Sequence, residues 1–364
     1  MSVLWLVILT AIFVTGQALV FRYFNFKNLS YDRSFARKNA FEGQKIELLE
    51  VVRNSKRLPI PWLRAQSRIP RELVFEKEQL EAHEVSGGMY HKSAFFMPPL
   101  NAVTRHHEVT LAKRGVYSAG SVLLGSGDLF ALVRMEKQLE LDCGITVYPA
   151  LLNESELPDP ANRWLGEAIV HRWIMPDPFL VNGIRDYRAG DPLKDIHWRA
   201  SARTGDLRVK VRDYTSDPKA LVILNVQTSE SQWADVGKQD EESVEYGIRM
   251  AATLCMRALK NGMNAGFASN ACLIGKQGSG EYVYVPSAGG NAQADKLLET
   301  MARMLLHREL NFHTFLESLC FLQGEDILII TAYENDDVMK AVHMLRAQGN
   351  TVSLIKLERG RKAA

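Results

Sequence analysis

Three hydrophobic rhythms follow one another along the chain. In the first there is no polar face at all: "MSVLWLVILTAIFVTGQALVF", Met1 to Phe21, carries no charged side chain, and about twenty apolar residues cross a bilayer core. Residues 1–24 are expected to form a transmembrane helix. From Ala40 to about Pro149 the pattern shortens to strand length. "QKIELLEVVRN" reads as a strand, and "RLPIPW" follows with two prolines that a helix interior rejects. In "VTRHHEVTL", Val103, Arg105, His107, Val109 and Leu111 share one face of a half-buried strand. "RGVYSAGSVLLGSGDLF" predicts two short strands with Gly115, Gly120, Gly125 and Gly127 at the turns. Short strands in series predict an all-β sandwich over 39–150.

From Lys219 the rhythm alternates between strand and helix. "ALVILNV" has the apolar continuity of a strand covered on both faces. Val244, Ile248, Ala251, Cys255 and Leu259 then keep helical spacing up to a stop at Gly262, and a second helix is expected from Asn291 to Arg308 on Leu297, Leu298, Met301, Met304 and Leu305. "NAGFAS", "EYVYVP", "DILIIT" and "TVSLIKL" are strands, and Val338, Ala341, Val342 and Leu345 mark a last helix. The alternation predicts an α/β domain over 219–358 with a mostly parallel sheet. Residues 151–218 lie between the two domains; "LPDP", "MPDP", Trp164 and Trp173 predict a connector that wraps, and 359–364 is a basic tail.

Composition narrows the function classes. With 44 Lys plus Arg against 42 Asp plus Glu the chain has no global field for nucleic acid, so no nucleic-acid partner is expected. The charge after the first helix is lopsided: Arg22, Lys27, Arg33, Arg37 and Lys38 against Asp32. Basic flanks stay inside, so a single pass of the plasma membrane with a cytoplasmic body and a very short outer N-terminus is expected. No basic residue precedes the apolar run and no A-x-A site follows it, which argues against a cleaved signal peptide. Cys143, Cys255, Cys272 and Cys320 form no C-x-x-C pair and are expected as buried free thiols. His106 and His107 point to opposite faces of their strand and cannot share a metal.

Charge is densest in "RDYRAGDPLKDIHWRASARTGDLRVK", Arg185 to Lys210. Asp191 and Pro192 predict a helix start, Asp195, Arg199 and Arg203 would then lie one turn apart on one face, and Gly205 would end the helix before a strand on Leu207, Val209 and Val211. Two readings follow: a charge network joining two domains, or an anion or acidic-peptide site built from Arg185, Arg188, Arg199 and Arg203, since arginine forks suit carboxylates and phosphates. His197 and Trp198 sit inside the stretch. Elsewhere, "GKQGSG" has its lysine on the wrong side for a phosphate loop, and neither H-E-x-x-H nor G-x-S-x-G occurs. No catalytic residue, cofactor or enzyme activity is expected.

"GIRDYRAGDPLKDIHWRASARTGDLRVK" closely resembles the signature of the bacterial domain-of-unknown-function 58 family. "NAFEGQKIELLEVVRNSKRLPIPWLR" is similar to that family's early β segment, and "RGVYSAGSVLLGSGDLFAL" to its "RGVY…GDPF" segment, with Leu129 where proline is commoner. The resemblance implies a membrane-anchored protein acting with a MoxR-type AAA+ ATPase, and a C-terminal domain similar to a von Willebrand factor A domain of Rossmann type. The adhesion site of such domains begins Asp-x-Ser-x-Ser. This chain has Asn225, Gln227 and Ser229 there; the carboxylate that hard cations favour is missing, so the site is expected to be degenerate and metal-free. Three functions remain: a membrane-tethered adaptor, a binding module for an acidic or phosphorylated envelope ligand, and, last, an envelope hydrolase.

Overall fold

The structure is a computed structural model that describes residues 2–75, 89–130, 132–174, 181–212, 219–232 and 235–357. The chain divides into two compact units, Met1–Ala150 and Leu151–Ala364. The "MPDP" motif and the basic tail lie outside the described residues.

The first unit opens with helix α1 (Ser2–Phe24), the one described helix long and apolar enough to cross a membrane. Val3, Leu4, Trp5 and Leu6 are all two-thirds exposed or more, an apolar surface that water does not favour. The other end of α1 is held by protein. Phe21 is buried, Asn25 donates through Nδ2 to Ser126 Oγ at 3.0 Å and to the Gly127 carbonyl at 3.2 Å, and Gln17 Nε2 donates to Asp128 Oδ2 at 2.6 Å.

Strands fill the rest of this unit. One sheet runs β1 (Leu29–Phe35), β3 (Lys45–Asn54), β7 (Asn101–Leu111), β5 (Leu73–Phe75); a second runs β10 (Arg134–Glu140), β9 (Ser121–Gly127), β4 (Ile60–Ile69), β6 (Met89–Met97). A third is smaller: β2 (Asn39–Phe41), β11 (Gly144–Tyr148), β8 (Gly115–Ser118). Tyr31 and Val52 of the first sheet pack with Leu63, Ala65, Phe95, Val122 and Leu124 of the second, as the inner faces of a sandwich do. The face expected of β7 is the one turned inward, with His107, Val109 and Leu111 buried, while His106 is exposed beside Glu47.

Amid this apolar interior lies a layer of polar groups. Arg33 on β1 stands opposite Glu50 on β3, and both side chains are fully buried with Arg33 Nη2 2.5 Å from Glu50 Oε1. Glu50 also accepts from Tyr31 Oη at 2.5 Å and Ser93 Oγ at 2.8 Å, and its Oε2 is 3.0 Å from His107 Nε2. Arg33 Nη1 donates to Ser67 Oγ at 2.7 Å, and Nη2 lies 3.3 Å from Nδ1 of buried His91. Burial alone would raise the Glu50 carboxyl; the His107 bond, the Arg33 charge and the Tyr31 hydroxyl overcome it and hold the group below the usual carboxylate range. The sequence expectation of Arg33 as a charge flanking the membrane is thus corrected: it is spent inside the sandwich. Its strand alternates inward at that position, and a buried cation persists where a carboxylate meets it.

Gly125 and Gly127 lie within β9, not at turns, whereas Gly120 does join β8 to β9. A Cβ on Gly120 would fall 1.9 Å from the Leu141 carbonyl oxygen. Gly120→Ala therefore forces the β9 and β11 approaches apart and is expected to cost about 1–3 kcal/mol, read as a lower urea midpoint at unchanged slope.

In the second unit the expected wrapping connector carries a helix, α2 (Asp159–Ile174), with Trp164 buried. A two-stranded ribbon, β12 (Val181–Asp186) with β13 (Arg208–Arg212), encloses α3 (Trp198–Thr204). The main sheet follows in the order β17 (Val283–Ala288), β15 (Asn264–Ser269), β14 (Lys219–Leu224), β19 (Asp326–Thr331), β20 (Thr351–Lys356); all pairings are parallel except that of β17. Helix α4 (Glu241–Lys260) packs on β14 and β15, close enough that a Cβ on Gly247 would meet Leu224 at 2.9 Å. Helices α6 (Phe312–Ser318) and α7 (Asp336–Ala347) cover Leu221, Ile223, Ile327 and Ile329. The helix expected over Asn291–Arg308 ends early: α5 stops at Arg303, and Met304–Arg308 is strand β18, paired with β16 (Ala271–Leu273). Apolar spacing fits both states there, and the partner strand decides.

Candidate functional site

The signature segment is built around a short helix that starts later than expected. Asp191 and Pro192 do not open it: Leu193–Asp195 is a single 3-10 turn, and α3 begins at Trp198 with His197 as its cap. His197 Nδ1 accepts from the Ala200 amide at 3.1 Å, its carbonyl receives the Ser201 amide at 3.0 Å, and its own amide donates to the Arg208 carbonyl at 2.8 Å. Ser201 Oγ accepts from the Arg208 amide at 2.9 Å. His197 is thus a staple between α3 and β13. Gly205 ends the helix as expected, in a left-handed conformation with φ of 82°.

Asp191 is taken by a stronger partner than a helix. Arg185 grips it with both terminal nitrogens, at 2.7 and 2.6 Å, and the Arg188 amide adds a third bond at 2.8 Å. The Arg185 fork, followed by the Arg188 amide, brings the Asp191 carboxyl down to about 2. Arg208 pairs with Asp186 at 2.6 Å. The expected ladder of Asp195, Arg199 and Arg203 on one helix is corrected, because Asp195 lies in the 3-10 turn before α3. Arg199 and Arg203 remain one turn apart on α3, exposed and without a side-chain partner among the described residues. Beside them Trp198 is 67% exposed and Leu193 70%. Arg185 and Asp191 therefore serve as scaffold, and Trp198, Arg199 and Arg203 face outward.

A second candidate lies at the carboxyl end of the main sheet, between β14 and β19, where the strand order reverses and open α/β sheets usually bind ligands. An open cleft of about 740 Å³ there is lined by Thr228, Ser229, Glu230, Tyr333, Glu334, Asn335 and Lys356, among others. Asn225 and Gln227 do not offer themselves to it. Asn225 Nδ2 donates to Thr331 Oγ1 at 3.0 Å while its Oδ1 accepts the Gln227 amide at 2.9 Å. Gln227 Nε2 donates to the Ser229 carbonyl at 3.0 Å, and its Oε1 accepts the Phe312 amide at 3.2 Å. Both side chains are buried and committed to loop geometry. Of the three expected positions only Ser229 lines the cleft. Asp336 and Asp337 open α7, where acids favour the helix N-terminus, and Asn335 caps it by accepting from the Val338 amide at 2.9 Å.

Of the four cysteines, Cys143, Cys255 and Cys272 are buried as expected, whereas Cys320 is exposed. Sequence reading missed what surrounds Cys272, because its neighbours come from residues more than thirty positions away.

Residues 183–348 match the family described as "Protein of unknown function DUF58". Among curated proteins, the "Uncharacterized protein YeaD" of Bacillus subtilis (strain 168) is 26% identical over 182 residues, 48% of this chain and 40% of that protein. The chain thus spans well under two thirds of that relative's length. Among solved structures, the CARDB domain of a Pyrococcus furiosus protein is 11% identical with a TM-score of 0.22, covering 33% of this chain and 91% of that one. A non-cellulosomal cohesin from the archaeon Archaeoglobus fulgidus is 7% identical with a TM-score of 0.22, covering 32% and 91%. The charged signature falls within the family match, and it is through residues 183–348 that this chain is similar to the DUF58 family of proteins of unknown function.

Proposed function

We propose that this chain is a membrane-anchored adaptor, without chemistry of its own, that presents its signature segment to a protein partner, a MoxR-type AAA+ ATPase. The observation that carries the reading is the surface of α3 and the turn before it: Trp198 and Leu193 stand two-thirds exposed beside Arg199 and Arg203. Tryptophan and arginine are the residues that dominate protein interfaces. Three further features support it. Helix α1 supplies an anchor, the basic Arg22, Lys27, Arg37 and Lys38 favour a cytoplasmic body, and the sheet order with one antiparallel edge is consistent with a von Willebrand A-like domain.

The test is co-purification of the full-length chain, in detergent, with a MoxR-type ATPase locked in its ATP-bound ring. The expected result is retention of the ring, with Trp198→Ala weakening it by at least about tenfold. No retention by the wild type overturns the adaptor reading. The second reading, an acidic-ligand module, rests on the outward arginines and separates in the same series: it requires Arg199→Gln with Arg203→Gln to abolish binding of a phosphorylated envelope precursor while Trp198→Ala leaves it intact.

A further inference from the structure

Cys272 on β16 and His307 on β18 come together with Glu309 just beyond β18. One ligating atom from each of the three lies within 4.8 Å of the others. Thiol, imidazole and carboxylate at that spacing form the mixed donor set that zinc accepts, with metal bonds of about 2.0–2.3 Å.

The surroundings are arranged as those of metal ligands are. His307 Nδ1 is 2.8 Å from Asp235 Oδ1, the carboxylate–imidazole contact that fixes the tautomer of a ligating histidine and leaves Nε2 for the ion. Glu309 is oriented by two amides, accepting from Gly278 at 3.1 Å and Gly280 at 2.6 Å. Both glycines have left-handed φ, 73° and 72°, a conformation that lets the loop turn its amides toward the carboxylate. That loop is the "GKQGSG" segment, which no phosphate-binding pattern explains. Cys272 is fully buried, while His307 and Glu309 are partly exposed, so the cluster has a closed floor and an accessible side.

We propose that Cys272, His307 and Glu309 form a zinc site, with Asp235 as the positioning residue of His307. Three protein ligands leave a fourth position for water or for a donor from a bound molecule, the open arrangement of zinc sites that exchange a ligand. The site stands apart from the adaptor reading and does not depend on it. It ties the loop after β14, which carries Asp235, to the β16–β18 ribbon.

Cobalt substitution of the full-length chain tests it, because a thiolate bound to cobalt absorbs in the near ultraviolet and a four-coordinate site gives strong visible bands. The expected result is one tightly held zinc per chain and, on exchange with cobalt, a thiolate band. Cys272→Ser abolishes the band, His307→Gln and Glu309→Gln each weaken zinc binding more than tenfold, and Asp235→Asn weakens it by about 10–100-fold. Cys320→Ser, at the exposed thiol, leaves the band unchanged. Absence of the thiolate band in wild-type protein overturns the proposal without recourse to any variant, and so does a band that survives Cys272→Ser or vanishes with Cys320→Ser.

Discussion

Arg33→Met melts the β-sandwich about 10 °C below the wild type. The reason is the carboxylate it leaves behind. Glu50 is fully buried and Arg33 is its cation, both on adjacent strands and both shielded from solvent. Breaking such a pair by removing one partner costs about 3–5 kcal/mol, since the remaining charge is uncompensated, and a kcal/mol moves the melting point of a unit this size by about 2–4 °C. Arg33→Met/Glu50→Gln removes both charges while the amide oxygen still accepts from Tyr31 and the amide nitrogen donates to the Ser93 hydroxyl, and it recovers most of the loss. Thermal unfolding at pH 7, followed by near-ultraviolet circular dichroism in detergent, measures both. A single variant that melts with the wild type would mean the pair contributes nothing.

Acid weakens the same layer through a neighbour of Arg33, the imidazole of His91. His91 is buried against Phe75, with ring centroids 5.1 Å apart. Burial, opposed by Glu50 and aided by the neighbouring Arg33, His107 and Arg105, pushes its pKa down from 6.5 to about 4. Below pH 6.5 the unfolded chain takes up a proton that the folded sandwich refuses until about pH 4, so stability rises with pH across that window and is lost as pH falls through it. The full drop is about 3 kcal/mol. The depressed Glu50 carboxyl acts with the same sign, its contribution present above the ordinary carboxylate range and lost in stronger acid. Urea midpoints measured from pH 7 to pH 4 should fall in wild type and stay nearly level in His91→Phe over pH 6.5 to 5. A midpoint just as steep in His91→Phe would assign the acid sensitivity elsewhere.

The legible parts of this chain were those in which one strand or helix is decided by its own residues. Alternation placed His107, Val109 and Leu111 inward, and continuous apolar runs located β14 and β19. Arg33 was misread because its partners, Glu50, Ser67 and His91, come from three other strands, and nothing local distinguishes a cation bound for the interior from one beside a membrane. Asp191 carried a good helix-start pattern, but the Arg185 fork, six residues earlier, captured its carboxylate first. Met304 and Leu305 fit a helical stripe until β16 offers an edge. Within the signature, sequence named the residues and only the fold sorted them, Arg185 and Asp191 into scaffold and Trp198, Arg199 and Arg203 onto the surface.

The clamp on α1 fixes where a bilayer crossed by it would begin. Gln17 and Asn25 fasten the end of the helix to the sandwich rim at Ser126, Gly127 and Asp128, so the apolar segment before Gln17 leaves protein directly at that rim. A lipid sheet crossed by the segment would meet the rim, and there Leu129, Phe130 and Leu132 stand more than half exposed. The first unit would then sit against the headgroups as a seated body, with little of the freedom of a tether.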